Sequence, residues 1–287
     1  MKVLVTGGAG RLGSVVCARL AEQGWDVLAT DQRYGRLSVP QRLADLRDAS
    51  AVYPLLEGRD AVVHLGNIPS LGLGHPPQVV LSDNASMNAN VFEAAVELGV
   101  TRLVFASSIQ AMLRFDEGRA APPPYRLPYL PLDGRAPADP GHNCYALSKE
   151  LGERLLRVLS DQHPRLACTA LRFPHLAGKW LLDKTKVPQR EEDLNFSEAL
   201  TYLELADAAL VVERALQRQA PGYHQYLPAQ SLTLRGYDVP ELLRTFFAHV
   251  PLRAIPEQLT GLVDHRELEQ DLALRPAPPL TVLLTRP

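Results

Sequence analysis

The sequence predicts an α/β fold, a doubly wound parallel sheet with a smaller C-terminal substrate lobe. Two observations carry this. Through residues 1–172, short apolar runs alternate with stretches of helical periodicity, and after residue 173 that rhythm breaks. Apolar strands alternating with helices mean a parallel sheet covered on both faces. Ligands of such a sheet sit at the carboxyl ends of its strands.

The elements follow in order. Val3-Leu4-Val5 is a buried-type strand, and residues 12–23 are a helix that Gly24 can close. Residues 26–30 are the second strand. Asp48 can cap a short helix reaching Leu56. Residues 61–65 are a strand, 78–98 a long helix ending at Gly99, 101–106 a strand, 144–160 a helix and 167–173 a strand. Residues 178–198 are polar, charged and irregular, and the mixed charges from Lys179 to Asp193 predict a solvated mobile loop rather than a phosphate clamp. Residues 206–217, 238–248 and 264–273 read as helices and 223–227 as a short strand. Residues 1–172 are thus the expected nucleotide-binding domain and 173–287 the lobe, with 201–227 returning to the first domain. Seven prolines between Pro122 and Pro140 mark a long crossing that suits a site wall or lid.

Composition excludes several classes. The net charge of −2 offers no global basic face, so nucleic acid is not an expected partner. There is no apolar run of about 20 residues for a membrane span. Cys17, Cys144 and Cys168 cannot make a disulfide framework, and the histidines never fall at zinc spacing, so no metal is expected. With no signal peptide visible, a cytoplasmic protein is expected.

The first chemical motif lies between the first strand and first helix. Gly7, Gly10 and Gly13 in Thr6-Gly7-Gly8-Ala9-Gly10-Arg11-Leu12-Gly13 have the spacing G-x-x-G-x-x-G. Such glycines let the backbone turn tightly against a pyrophosphate, which then meets a helix N-terminus. Asp31, followed by Gln32, ends the second strand 18 residues past Gly13. A carboxylate there accepts from the adenosine ribose hydroxyls and repels a 2′-phosphate, which favours NAD over NADP. Arg33 works against that preference. This is a Rossmann-like arrangement. Asp45-Leu46 is in position to flank the adenine, or is a solvated turn.

The second motif is Tyr145-Ala146-Leu147-Ser148-Lys149, which puts Tyr145 and Lys149 on one helix face. Lowering a tyrosine pKa from about 10 to about 7 takes roughly 4 kcal/mol. One cation about 4 Å away at an effective dielectric of about 20 supplies that. Ser107-Ser108 ends the strand at 101–106, on the edge where a ligand should lie. Strand alternation alone does not decide which serine faces inward.

Together these residues resemble the extended short-chain dehydrogenase/reductases, the NAD-dependent epimerase/dehydratase group. The glycine run matches T-G-x-x-G-x-x-G, and Asp31 matches the family's ribose-binding acid. His64-Leu65-Gly66-Asn67 is similar to its cofactor-lining H-x-A-A. Asn84 falls at its cofactor-side asparagine. Phe105-Ala106-Ser107-Ser108 matches F-x-S-S, which makes Ser108 the catalytic serine. Tyr145 and Lys149 match Y-x-x-x-K. Leu171-Arg172-Phe173-Pro174 looks like its L-R strand end, and Tyr202 to Asp207 is similar to Y-V-H-V-x-D. The resemblance implies NAD, with Gly7, Gly10, Arg11, Leu12, Gly13, Asp31, Gln32, Asp45, Leu46, Leu65, Gly66, Asn67, Asn84, Tyr145, Lys149 and Phe173 at the cofactor. It implies Ser107, Ser108, Pro174 and His175 at the substrate. Tyr145 as phenolate would take a hydroxyl proton while a hydride leaves the same carbon, and Lys149 would hold the nicotinamide ribose and lower the tyrosine pKa. Return of the hydride to the other face would be epimerisation, and exchange of NADH would be dehydrogenation. A homodimer through the helices at 85–98 and 146–160 is implied as well.

Two departures narrow the substrate. Ser108 is followed by Ile109 and Gln110, so the acidic pair of the dehydratases is missing. His175 stands where nucleotide-sugar members carry an asparagine, and the lobe is short. A histidine donates one hydrogen bond, or two when charged, so it can meet a diphosphate or carboxylate or simply be packed or solvated. The expected substrate is a sugar, sugar acid or nucleotide-sugar. His64-Leu65-Gly66 also resembles the uronate dehydrogenases. A non-catalytic NAD-binding regulator is the alternative of another class, though such proteins usually lack the tyrosine–lysine pair.

Overall fold

The computed structural model describes residues 1–70, 74–115 and 125–285. In chain order the strands are β1 (Lys2–Thr6), β2 (Asp26–Asp31), β3 (Gln41–Leu43), β4 (Ala61–His64), β5 (Arg102–Ser108), β6 (Arg114–Phe115), β7 (Tyr125–Arg126), β8 (Ala167–Phe173), β9 (Leu176–Ala177), β10 (Thr201–Glu204), β11 (Gly222–Tyr226), β12 (Gln230–Ser231), β13 (Thr233–Leu234) and β14 (Thr281–Val282). The helices are α1 (Arg11–Glu22), α2 (Ala49–Leu56), α3 (Pro77–Glu97), α4 (Cys144–Gln162), α5 (Lys179–Lys184), α6 (Leu205–Gln217), α7 (Val239–Phe246) and α8 (Arg266–Leu272).

Seven strands form one sheet in the order β11-β8-β5-β4-β1-β2-β3. Every pairing in it is parallel. The chain winds outward in both directions from β1, so the topological switch point lies between β1 and β4, where a crevice opens for a ligand. The strands are apolar on both faces because both are covered. Val3, Val5 and Val63 pack with α1 and α6, while Leu4, Val62 and Phe105 pack with α2, α3 and α4. Helix ends obey their local signals. The Asp48 carboxylate caps α2 by accepting from the Ser50 amide, and Gly24 and Gly99 follow α1 and α3 with φ of +73° and +76°.

A third apolar cluster lies in the lobe. Leu127, Leu130, Leu132 and Ala136 join Tyr202, Leu234, Leu243 and Phe247 there. The proline-rich crossing, expected as a wall or lid, is in its described part a buried strap. Leu130 bridges to Leu252 and Leu132 to Val263, while Pro122 to Pro124 lie outside the described residues. The segment 178–198 departs from a solvated loop. It forms α5 and two 3-10 turns and buries Leu181, Gln189 and Leu194. Spaced apolar residues anchor a charged surface stretch that composition alone reads as solvated. No helix among the described residues is long and apolar enough to cross a membrane.

Candidate active site

The turn after β1 is too tight for side chains. A Cβ on Gly7 would stand 2.8 Å from the Leu65 carbonyl carbon, and one on Gly13 would stand 2.1 Å from the Gly7 oxygen. Gly10 begins α1 with no side chain capping it, so the helix N-terminus faces the switch-point crevice bare of any capping group. Asp31 is pinned at the end of β2, its carboxylate accepting from the amides of Ala9 at 3.1 Å and Gln32 at 2.8 Å. A cradle that a Cβ would fill, an uncapped helix start and a fixed carboxylate fit the pyrophosphate and ribose of a dinucleotide.

Around this cradle the expected residues divide. Leu46 is buried against Gly66, and the amides of Leu65 and Gly66 both donate to the Thr6 hydroxyl. Gln32 and Asp45 line an open cavity beyond Asp31. The Arg47 guanidinium, 2.6 Å from Asp45, holds that carboxyl down at about 2. Arg11 instead reaches the carbonyl of Leu176 across the crevice, at 3.0 Å. Asn84 spends its amide inside the protein, accepting from the Ile68 amide at 2.8 Å and donating to Ile68 O and Ser148 Oγ, each at 3.1 Å. It braces the loop after β4 against α4. Phe173 is buried in the α1/α6 core and Pro174 is buried beside it. His175 stays exposed. Partial burial, then the cations of Arg11 and Lys184, pull its imidazole below the usual histidine value.

The two serines part as neighbours on a strand must. Ser107 points to α4 and donates to Glu153 Oε1 at 2.5 Å. It is therefore a structural anchor and is corrected here from its expected place at the substrate. Ser108 is the inward one, accepting from the Gln110 amide at 3.2 Å and hydrogen-bonded to the Tyr145 phenol.

Tyr145 and Lys149 share the inner face of α4. Asn143 caps that helix by accepting from the Ala146 amide, which fixes the first turn on which Tyr145 rides. The Lys149 Nζ lies 5.6 Å from the Tyr145 ring centroid and donates to Asn67 Oδ1 at 2.8 Å and Ala106 O at 2.7 Å. Burial pushes the Tyr145 phenol up to about 12, opposed by the Ser108 hydrogen bond and abetted by the charge of Glu198. Burial also brings the Lys149 ammonium down to about 7. The pair is withdrawn from water, and each group is pushed toward its neutral form.

Sequence reasoning missed Glu198. It is buried and comes from the lobe, where its Oε1 accepts from Gln110 Nε2 at 3.2 Å and its Oε2 from Asn195 Nδ2 at 2.7 Å. Gln110 Oε1 in turn accepts from Asn143 Nδ2 at 3.1 Å. A carboxylate thus does approach Tyr145, in space rather than along the chain. Ala199 and Leu200, which follow Glu198, are both left-handed, with φ of 54° and 57°. Such backbone costs of order 1–3 kcal/mol per residue and persists where the surroundings dictate it. Here Leu200 N bonds back to Asn195 O at 2.8 Å. No cluster of three or more metal-ligating side chains occurs among the described residues.

Residues 3–204 match a family described as the NAD dependent epimerase/dehydratase family. The NAD-dependent glucose-6-phosphate dehydrogenase of Haloferax volcanii is 32% identical over 56% of this chain, and the match takes in 63% of that enzyme, less than two thirds of its length. The 2-alkyl-3-oxoalkanoate reductase of Stenotrophomonas maltophilia is 31% identical over 99% of this chain and 88% of its own length. The UDP-glucose 4-epimerase of Bifidobacterium longum, solved with NAD+ and UDP, superposes with a TM-score of 0.67 over 98% of this chain and 95% of that one. At 17% identity it shows the shared fold.

Proposed function

Because the chain belongs to the NAD dependent epimerase/dehydratase family, we propose that it is an NAD-dependent dehydrogenase acting at a carbinol carbon of a small sugar. One observation carries the reading. Ser108, Tyr145 and Lys149 meet on the carboxyl edge of the sheet, on the same edge as the glycine turn.

Gly7, Gly10 and Gly13 would receive the pyrophosphate, Asp31 the adenosine ribose, and Gln32, Asp45 and Leu46 the adenine side. The bound nicotinamide supplies the two-electron acceptor that no side chain here provides. Tyr145 takes the proton from the substrate hydroxyl. Ser108 donates a hydrogen bond to that same oxygen and holds it at the phenol. The Lys149 cation favours the phenolate that Tyr145 must become. Both oxygens of Glu198 accept from amides, which leaves it poorly placed to expel water as a dehydratase would.

The relation to a sugar dehydrogenase favours net oxidation over epimerisation. The relation to an oxoalkanoate reductase favours a second reading, reduction of a 3-oxo acid. Purified protein mixed with NAD and a panel of aldoses, uronic acids and UDP-sugars should form NADH with a member of the panel, and Tyr145→Phe should not. Isomerised UDP-sugar without net NADH would make it an epimerase. NADH consumption with a 3-oxo acid alone would select the second reading, and cofactor binding without turnover the regulator. A homodimer through α3 and α4 fits the same reading, since Leu151 and Val158 leave apolar side chains exposed on α4.

A further inference from the structure

Lys149 ends a buried line of side chains that starts at the glycine turn. Thr6, the last residue of β1, accepts from the amides of Leu65 and Gly66 at 3.1 Å each. Its hydroxyl lies 2.7 Å from His64 Nδ1. His64 Nε2 lies 3.0 Å from Asn88 Oδ1. The same oxygen accepts from Asn67 Nδ2 at 3.0 Å, and Asn67 Oδ1 accepts from Lys149 Nζ at 2.8 Å. Thr6, His64, Asn88 and Lys149 are each at most 3% exposed.

One group sets the sense of the whole line. An ammonium can only donate. Asn67 must therefore turn its oxygen to Lys149 and its NH2 to Asn88. Asn88 must then present oxygen to Asn67, and its own NH2 goes to Ser148 O at 3.4 Å. His64 must carry its hydrogen on Nε2, and its bare Nδ1 takes the Thr6 hydroxyl. That tautomer is neutral, in keeping with burial and with the nearby Lys149 charge, which bring the imidazole down to about 3. Every member has one allowed orientation. A polar residue at Asn67, where the resembling H-x-A-A stretch carries alanine, is what joins the line to the lysine.

We infer that Asn67 is a positioning residue for Lys149, its carboxamide holding the buried ammonium at the end of a line anchored through Asn88, His64 and Thr6 to the glycine turn. The inference rests on the reading of Lys149 as the lysine of the reaction. Asn67 and Ala106 take two of the three ammonium hydrogens, leaving one for the cleft and Tyr145. The titratable and charged groups around Lys149 are Tyr145 and Glu153 on its own helix, His64 on β4, Arg172 on β8 behind Glu153, and Glu198 of the lobe beyond Tyr145. Asn67 acts among these as a neutral acceptor, so changing its charge must move the lysine in a known direction.

The test labels lysine at its ε-carbon. The chain holds five lysines, so Lys149→Met assigns the Lys149 signal by its loss. The signal is followed against pH by NMR. Asn67→Ala removes an acceptor and should lower the midpoint by about one unit, a tenfold change in the protonation equilibrium. Asn67→Asp adds a negative charge and should raise it. Asn67→Leu also removes the acceptor, should lower the midpoint likewise, and stands in if the alanine variant does not fold. Midpoints that do not move, or that fall alike in the alanine and aspartate variants, overturn the inference, because loosened packing has no charge sign. The titration needs no turnover. A protein that oxidises no sugar would sink the proposed activity and leave this measurement able to decide the role of Asn67.

Discussion

Arg172 meets Glu153 through two parallel hydrogen bonds, Nε to Oε1 at 2.9 Å and Nη2 to Oε2 at 2.7 Å. The two side chains are 2% and 4% exposed. Glu153 also accepts from Ser107, and Arg172 Nη1 donates to Ala136 O at 2.5 Å. One ion pair therefore ties β5, β8, α4 and the strap of the lobe together directly behind the carboxyl edge of the sheet. Removing one partner strands a buried charge, which costs about 3–5 kcal/mol. Glu153→Ala should lose that much stability in urea unfolding. The double variant Glu153→Leu/Arg172→Met should lose clearly less. Equal losses would show that packing and not the unpaired charge sets the cost.

That pair also shows what could be read in advance. The glycine turn, Asp31 and the tyrosine–lysine helix were legible because each is local. Their spacing alone places them on a turn, a strand end and a helix face. Strand alternation did not separate Ser108 from Ser107, and the resemblance to F-x-S-S chose Ser108; in the structure Glu153, 46 residues away on α4, takes the Ser107 hydroxyl. Glu198 was illegible because its contact is at longer range still. Its partner Gln110 is 88 residues distant, and its own neighbourhood reads as a charge run. Asn84 was legible as a position, and its bracing of the loop after β4 was not. Its position matched a cofactor-side asparagine, while the loop it braces is visible only once folded.

Glu198 gives a prediction with a sign. In the proposed reaction Tyr145 acts as a base only as phenolate, and burial pushes it up to about 12, with the Glu198 charge pushing in the same direction. Activity in alcohol oxidation should therefore climb with pH below that value. Glu198→Gln keeps the side-chain size and removes the negative charge. The phenol becomes more acidic, and the rising limb of kcat/KM should move to lower pH by up to about one unit. A limb that stays in place would remove Glu198 from the electrostatics of Tyr145.

Asp31 predicts the cofactor preference. Hydrogen bonds to a charged group are worth about 1.5–3 kcal/mol, so losing the ribose contact should weaken NAD by roughly 10- to 100-fold. Asp31→Ala should do this to NAD(H) and leave NADP(H) unchanged or tighter, because the same carboxylate repels a 2′-phosphate. Fluorescence titration with NADH and NADPH measures both. Equal weakening of the two would mean that Asp31 matters only through its bonds to the Ala9 and Gln32 amides.

Gly13 tests the cradle without touching a charge. A Cβ there would meet the Gly7 oxygen at 2.1 Å, a distance no real contact allows, and the obstacle is backbone that cannot rotate away. The turn must open by at least one ångström to admit a methyl group, since ordinary contacts lie at about 3.5 Å. Gly13→Ala should therefore abolish NADH binding and shift the thermal midpoint down by several degrees. Gly24→Ala is the control, because a Cβ there meets nothing within 4 Å, although its φ of +73° carries a local strain. That variant should lose about 1 kcal/mol of stability from the left-handed backbone and keep NADH affinity. If Gly13→Ala binds NADH as the wild type does, the pyrophosphate does not sit on this turn.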